Sequence, residues 1–188
     1  DMEIDPTNHN NLYVGIYSHC GGVWRSLNAA TSWTQSFPDC DIFSILVDPA
    51  SPNIIYAASD NSVFKSLDGA LTWTDPSSHG IQHVSNMTID PNDSDILYAY
   101  TANGIYKTIN AGTSWSLLLN GPPGGIARHA LITDPVRQNT VYEANTSVFK
   151  TTDGGNNWIN ISNGLPQSGV YSLIIPKSDT NIIYATTD

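Results

Sequence analysis

The sequence predicts an all-β fold, a β-propeller of four-stranded blades, on three observations. An Asp- or Asn-centred turn frame ending in Trp recurs four times, most completely at 151–158 (Thr-Thr-Asp-Gly-Gly-Asn-Asn-Trp). A second signal, an Asp-Pro pair followed by a Tyr-centred apolar run, recurs at the same spacing. No stretch carries the 3.6-residue period of a helix. Four short strands in units of 40 to 45 residues are the pattern of propeller blades.

The Tyr signal runs through Tyr13, Tyr56, Tyr98, Tyr142 and Tyr184, 42 to 44 residues apart. Asp-Pro precedes the first four, at Asp5-Pro6, Asp48-Pro49, Asp90-Pro91 and Asp134-Pro135, and Pro176-Lys177 stands in the fifth. Proline cannot donate to a central ladder, so Asp-Pro ends the first strand of each unit. Around the second unit the four strands are predicted at 42–47, 54–58, 62–66 and 71–74. The blade repeats fall at about 1–40, 41–82, 83–125 and 126–168, with a partial blade at 169–188. The single domain is thus four blades plus half of a fifth, expected to be a segment of a longer propeller or completed by a partner.

The turn frame closes the third and fourth strands of each unit. Its copies are 26–33, 66–73, 108–115 and 151–158. Asp or Asn accepts backbone N–H bonds from two residues on and closes a turn with its own side chain. Glycine two positions later supplies a positive φ at no steric cost, and Trp opens the next strand with a large apolar face. The structural set is Asn28 and Trp33; Asp68 and Trp73; Asn110, Gly112 and Trp115; Asp153, Gly155 and Trp158. Asn28 and Asn110 stand where the other copies have Asp, and Ala30 replaces Gly, so those turns are expected to be looser. Arg25, Lys65, Lys107 and Lys150 each follow an aromatic residue and precede the frame's Ser or Thr. A position repeated fourfold is structural, with the side chain expected on the outward face and its stem over apolar surface.

The 188 residues suffice for one domain with a core, and 13% are charged. The formal charge of −10, with seven Lys and Arg in all, argues against nucleic acid or an anionic membrane as partner. No apolar run approaches the ~18 residues of a membrane helix. The sequence begins at Asp1 rather than Met, which reads as a processed, excised or partial chain.

The four frames resemble Asp boxes, also called BNR repeats. Combined with Asp-Pro, Tyr-Ala and the aromatic–basic–Ser/Thr triplet, they are similar to the repeats of xyloglucan-hydrolase-like glycosidases, sortilin-type receptor domains and photosystem-assembly propellers. The resemblance covers nearly the whole chain. It implies the propeller fold and leaves function open, because sites are grafted on folds. It also implies a largely secreted context, which favours a Cys20–Cys40 disulfide over two free thiols. That bridge would close a loop of about 20 residues and contribute about 3 kcal/mol.

In propellers, the loops joining strands two and three share a face with the connections between blades. Here that face gathers residues 17–20, 39–41, 59–61, 79–83, 121–129 and 163–169. Asp39, Asp41 and Asp60 are its candidate catalytic carboxylates, since glycoside hydrolysis needs two across a cleft. In the xyloglucan-hydrolase-like group a catalytic Asp precedes Gly-Gly in the first-blade loop, whereas this chain has His19-Cys20-Gly21-Gly22. Sialidases bind their substrate carboxylate with three arginines. Arg25 is claimed by the repeat and Arg137 by the loop after Asp134-Pro135, which leaves Arg128. His19, His79, His83, Arg128 and His129 are the expected ligand-binding residues of the face. The four histidines come from separate blades without tight ligand spacing, so no metal is expected and no cofactor is implied. Asn92 and Asn145 begin Asn-x-Ser/Thr triplets in predicted loops and are candidate glycan acceptors.

Two functions follow. The first is an extracellular or cell-surface module, not an enzyme, that binds a glycan or protein on its loop face, or self-associates through open blade edges. The second is a glycoside hydrolase of β-glucan or xyloglucan type with part of its active site outside this segment.

Overall fold

A computed structural model describes residues 1–18, 21–38, 41–78, 80–118, 122, 130–166 and 169–187. Among these there is no helix, and hence none long and apolar enough to cross a membrane. The strands form antiparallel sheets in sequence order, one per repeat. Blade 1 is β1 (Met2–Ile4), β2 (Leu12–Ile16), β3 (Gly22–Ser26) and β4 (Thr34–Phe37). Blade 2 is β5 (Ser44–Val47), β6 (Ile55–Ala58) and β7 (Val63–Ser66). Blade 3 is β8 (Val84–Asp90), β9 (Asp93–Thr101), β10 (Gly104–Thr108) and β11 (Ser116–Leu117). Blade 4 is β12 (Ala130–Thr133), β13 (Val141–Ala144), β14 (Val148–Thr151) and β15 (Ile159–Asn160). The half blade is β16 (Val170–Ile174) paired with β17 (Tyr184–Thr187).

The predicted fourth strand of blade 2 shrinks to a single bridge, Lys65 with Thr74. The turn frame consumes Leu71 and Thr72, whose N–H groups bond to Asp68, and Pro76 follows with no N–H to donate.

The first strands stack in series, β1 on β5, β5 on β8, β8 on β12 and β12 on β16. The core is accordingly a set of layers between blades. Tyr13, Val23, Ile45 and Ile55 fill the first, with Phe37 and Trp73 against them. Tyr56, Val63, Met87 and Leu97 fill the second with Trp115. Tyr98, Ile105, Leu131 and Val141 fill the third with Trp158, and Tyr142, Val148, Val170 and Leu173 the fourth. Burying each such aliphatic side chain contributes about 1.5–3 kcal/mol.

Each frame is a network on two side chains. Thr151 Oγ1 donates to Asp153 Oδ1 at 2.8 Å and accepts from Gly155 N at 3.0 Å. Asp153 Oδ1 accepts from Asn157 N at 3.0 Å, and Oδ2 from Asn157 Nδ2 at 2.8 Å. Thr72 plays the part of Asn157 toward Asp68, donating N at 2.9 Å and Oγ1 at 2.6 Å. The Asn frames reverse the last bond. Asn28 Nδ2 donates to Ser32 Oγ, and Asn110 Nδ2 to Ser114 Oγ, both at 2.9 Å. These frames are no looser, which corrects the expectation from the sequence. Ala30 N reaches Ser26 Oγ at 2.9 Å, as Ala70 N reaches Ser66 Oγ. Ala29 and Ala30 both hold left-handed φ, 53° and 64°, a cost of about 1–2 kcal/mol per residue that the network overrides.

Side-chain hydroxyls and amides lower the pKa of the two frame aspartates. The bonds from Thr72 hold Asp68, and those from Asn157 hold Asp153, near a pKa of about 2.

The repeated basic residues cross between blades, rather than lying along the outer face. Arg25 Nη1 donates to Gly69 O at 3.1 Å, Lys65 Nζ to Ala111 O at 3.3 Å and Lys107 Nζ to Gly154 O at 3.2 Å. Each acceptor is the left-handed residue after the Asp or Asn in the next blade's frame. The stems of Lys65 and Lys107 lie over Tyr56 and Tyr98, with Nζ 5.1 and 5.2 Å from the ring centroids. Burial lowers the pKa of both lysines.

The Asp-Pro aspartates are buried caps. Asp48 Oδ1 accepts from Ala50 N, Ser51 N and, across the blade boundary, Ser94 Oγ at 2.7 Å. Asp90 Oδ2 likewise accepts Asn139 N of blade 4 at 2.8 Å.

Candidate functional site: the loop face

Strand alternation sends the frames and the Asp-Pro loops to one end of the blades. Gly69 N bonds Asn53 O, and Gly154 N bonds Asn139 O, tying frame to loop there. The opposite end carries the loops between strands two and three and the connections between blades, so it is free to hold a site.

Its described part is built from two pairs. Tyr17 follows β2 and is 69% exposed, with its ring tilted against Phe43 at 4.9 Å between centroids and 36° between planes. Phe43 is fixed from below, its N–H bonded to Ala58 O just before β5. Asp41 lies two residues away, half-buried, with a left-handed φ of 57°. The second pair is Asp60 and His83. His83 N donates to Asp60 O at 3.0 Å, and His83 Nδ1 meets Asp60 Oδ1 at 3.2 Å. Both side chains are more than half exposed, so the contact contributes at most about 1 kcal/mol and leaves both groups open to a ligand.

The structure therefore places Asp41, Asp60 and His83 at the predicted end and joins the last two. His19, Cys20, Asp39, Cys40, His79, Arg128 and His129 lie outside the described residues, and with them the disulfide and most of the expected histidine cluster. No group of three or more metal-ligating side chains occurs among the described residues. Two of the three arginines belong to the far end. Arg25 bonds Gly69 O, and Arg137 bonds Asp134 Oδ2, Thr180 O and Asn181 Oδ1. Asn92 is exposed at the far end, where its Nδ2 donates to Val136 O at 3.2 Å. Asn145 is half-buried at the end of β13.

Sequence reasoning missed Glu143. In the Tyr-centred strands this position is Val14, Ala57, Ala99 or Ala185, and here a carboxylate replaces it. Glu143 is buried in mid-sheet between Leu131 and Phe149. It lines a 120 Å³ pocket with Pro122, Asn145 and Ser147 at the loop end of blade 4. A break in the Tyr-Ala motif was the signal that could have found it. Glu3 is a second unusual carboxylate. It lies on β1, which packs on β5, and burial pushes its pKa up to about 7.

No family model and no curated protein matches the chain. Solved structures do. An ancestral GH74 enzyme is 22% identical with a TM-score of 0.76, matching 100% of this chain and 27% of its own. The GH74 xyloglucanase from Xanthomonas campestris is 17% identical with a TM-score of 0.77, matching 99% of this chain and 35% of its own. The extracellular domain of a hybrid two-component system from B. thetaiotaomicron is 16% identical with a TM-score of 0.74, matching 100% of this chain and 25% of its own. The chain thus has the fold of a segment of such propellers and spans about a third or less of their length.

Proposed function

We propose that the chain is an extracellular propeller module that binds a glycan, of β-glucan or xyloglucan type, on its loop face. The observation that carries this reading is the exposed Tyr17 ring set against Phe43, two residues after Asp41. An exposed aromatic face supports the apolar face of a sugar ring, and carboxylates on the same loop face accept hydrogen bonds from sugar hydroxyls. Asp60 and His83 extend the polar rim. The likeness to a xyloglucanase and to an extracellular domain supports the ligand class and the location. Affinity electrophoresis in gels containing xyloglucan or mixed-linkage β-glucan tests the reading. Retardation that Tyr17→Ala abolishes supports it; migration equal to that in glycan-free gels for every polysaccharide overturns it.

Glu143 favours a second reading, hydrolysis, because it sets a carboxyl group in a pocket at the loop end of blade 4, and glycoside hydrolysis uses carboxyl groups across a cleft. Release of reducing sugar by the chain within its full polypeptide, lost in Glu143→Gln, would select hydrolysis over binding alone. No release leaves glycan binding as the function.

A further inference from the structure

Asparagine followed by glycine occurs at 103–104, 120–121 and 163–164. Residues 120 and 121 lie outside the described residues, and the structure sets the other two pairs apart. We propose that Asn163 is a self-modification site, converting to aspartate and isoaspartate without an enzyme, while the hairpin that holds Asn103 protects it.

The chemistry is self-contained. The main-chain nitrogen of the glycine attacks the asparagine Cγ and an N–C bond forms. The Cγ–Nδ2 bond breaks, and ammonia leaves with the proton of the attacking N–H. Water then opens the five-membered imide at either carbonyl. The product is aspartate, or isoaspartate with the main chain running through the β-carbon. One water is taken up and one ammonia released, with no oxidant, metal or co-reactant. The step needs a side chain free to turn and a nitrogen free to approach it, which glycine provides because it has no β-carbon.

The turn after β15 meets both needs. Asn163 and Gly164 are exposed, and Leu165 N closes the turn on Ser162 O at 2.9 Å. Gly164 holds a left-handed φ of 89°, and a β-carbon there would meet no heavy atom within 4 Å. Among the described residues no hydrogen bond holds the Asn163 side chain. The nearby Asn160 is held, its Oδ1 accepting from Ser162 N at 2.9 Å.

Asn103 lies in the tight turn between β9 and β10. Gly104 is buried and stands opposite Thr101 in the ladder. Thr101 Oγ1 donates to Gly104 O at 3.0 Å and accepts from Asn103 N at 3.1 Å. The hairpin must open before the Gly104 nitrogen can reach Asn103 Cγ, and a paired hairpin opens at higher cost than an exposed turn. Conversion at Asn163 places a carboxylate, and in isoaspartate an added main-chain atom, at the loop end of blade 4. The inference does not depend on glycan binding.

The test follows the purified 188-residue chain at mildly alkaline pH, folded and in guanidinium chloride, by tryptic mapping and mass spectrometry. Asn163 falls in the peptide 151–177 and Asn103 in 66–107, and fragmentation assigns each unit gain in mass. In the folded chain Asn163 should convert about tenfold faster than Asn103, equivalent to an opening cost of about 1.4 kcal/mol. In denaturant the two rates should converge. Gly164→Ala, which sets a β-carbon beside the attacking nitrogen, should slow conversion at 163 about tenfold and leave Asn103 unchanged. Equal folded rates, faster conversion at 103, or a rate at 163 that Gly164→Ala does not alter overturns the proposal. So does an unconverted Asn163 in the folded chain when the denatured sample converts.

Discussion

Substituting Met for Lys107 should cost several degrees of thermal stability, and the same change at Lys150 much less. Lys107 Nζ donates to Gly154 O at 3.2 Å and lies 5.2 Å from the Tyr98 centroid. Methionine keeps most of the stem packing and removes both polar contacts. A hydrogen bond from a charged donor contributes about 1.5–3 kcal/mol net, and a cation over an aromatic ring about 0.5–1 kcal/mol. Burial lowers the lysine pKa, so desolvation of the ammonium offsets part of this. A net loss of about 1.5–2 kcal/mol remains, or about 3–8 °C in Tm for a domain of this size. Lys150 makes the ring contact and, among the described residues, no inter-blade carbonyl bond, so its loss is about 0.5–1 kcal/mol. Lys107→Arg should stay within about 0.5 kcal/mol of the parent, which separates the bond from the residue. Thermal melts and urea titrations of the three variants measure these differences. Equal losses at 107 and 150 would refute inter-blade stapling by the repeated cation.

Further outcomes follow from the carboxylates and one glycine. The folded pKa of Glu3 is raised from 4.5 to about 7, so its contribution is fully present below pH 4.5 and is lost as pH rises through 7. Glu3→Gln should remove that decline and raise stability at pH 8 by up to about 3 kcal/mol; urea midpoints from pH 4 to 8 check it. Asp68 and Asp153 have the opposite sign. With folded values near 2 against 3.8, their contribution is present above pH 4 and disappears as pH falls toward 2. Asp68→Asn, whose amide can donate to Thr72 as Asn28 does to Ser32, should flatten the acid limb of the Tm profile. Gly21→Ala would set a Cβ 2.6 Å from Ile16 O. The backbone shift should cost about 1–3 kcal/mol, move the Tyr17 loop and weaken glycan retardation.

The repeat was legible because one frame and one Tyr strand recur with little change. Thr151, Asp153 and Trp158 specify a turn by local bonds alone, so they could be read without tertiary information. The stapling role of Lys107 could not, since its acceptor lies in the next blade's frame, at Gly154. Nor could the tolerance of Ala30 for a left-handed φ, which depends on the Ser26 hydroxyl holding its N–H. At the loop face, strand alternation alone put Asp41, Asp60 and His83 at the end opposite the frames. It missed the Tyr17–Phe43 ring contact, because those residues lie on adjacent blades. Glu143 escaped notice for another reason. Attention went to loop carboxylates, while this one interrupts a buried strand.

Residue-resolved NMR of the labelled chain, titrated with a xyloglucan oligosaccharide, tests the functional reading most directly. The account predicts shifts concentrated at Tyr17, Ser18, Asp41, Phe43, Asp60 and His83. The frames at Asn28, Asp68, Asn110 and Asp153 should stay unmoved. Shifts gathered at the frame end, or none at saturating oligosaccharide, would contradict it.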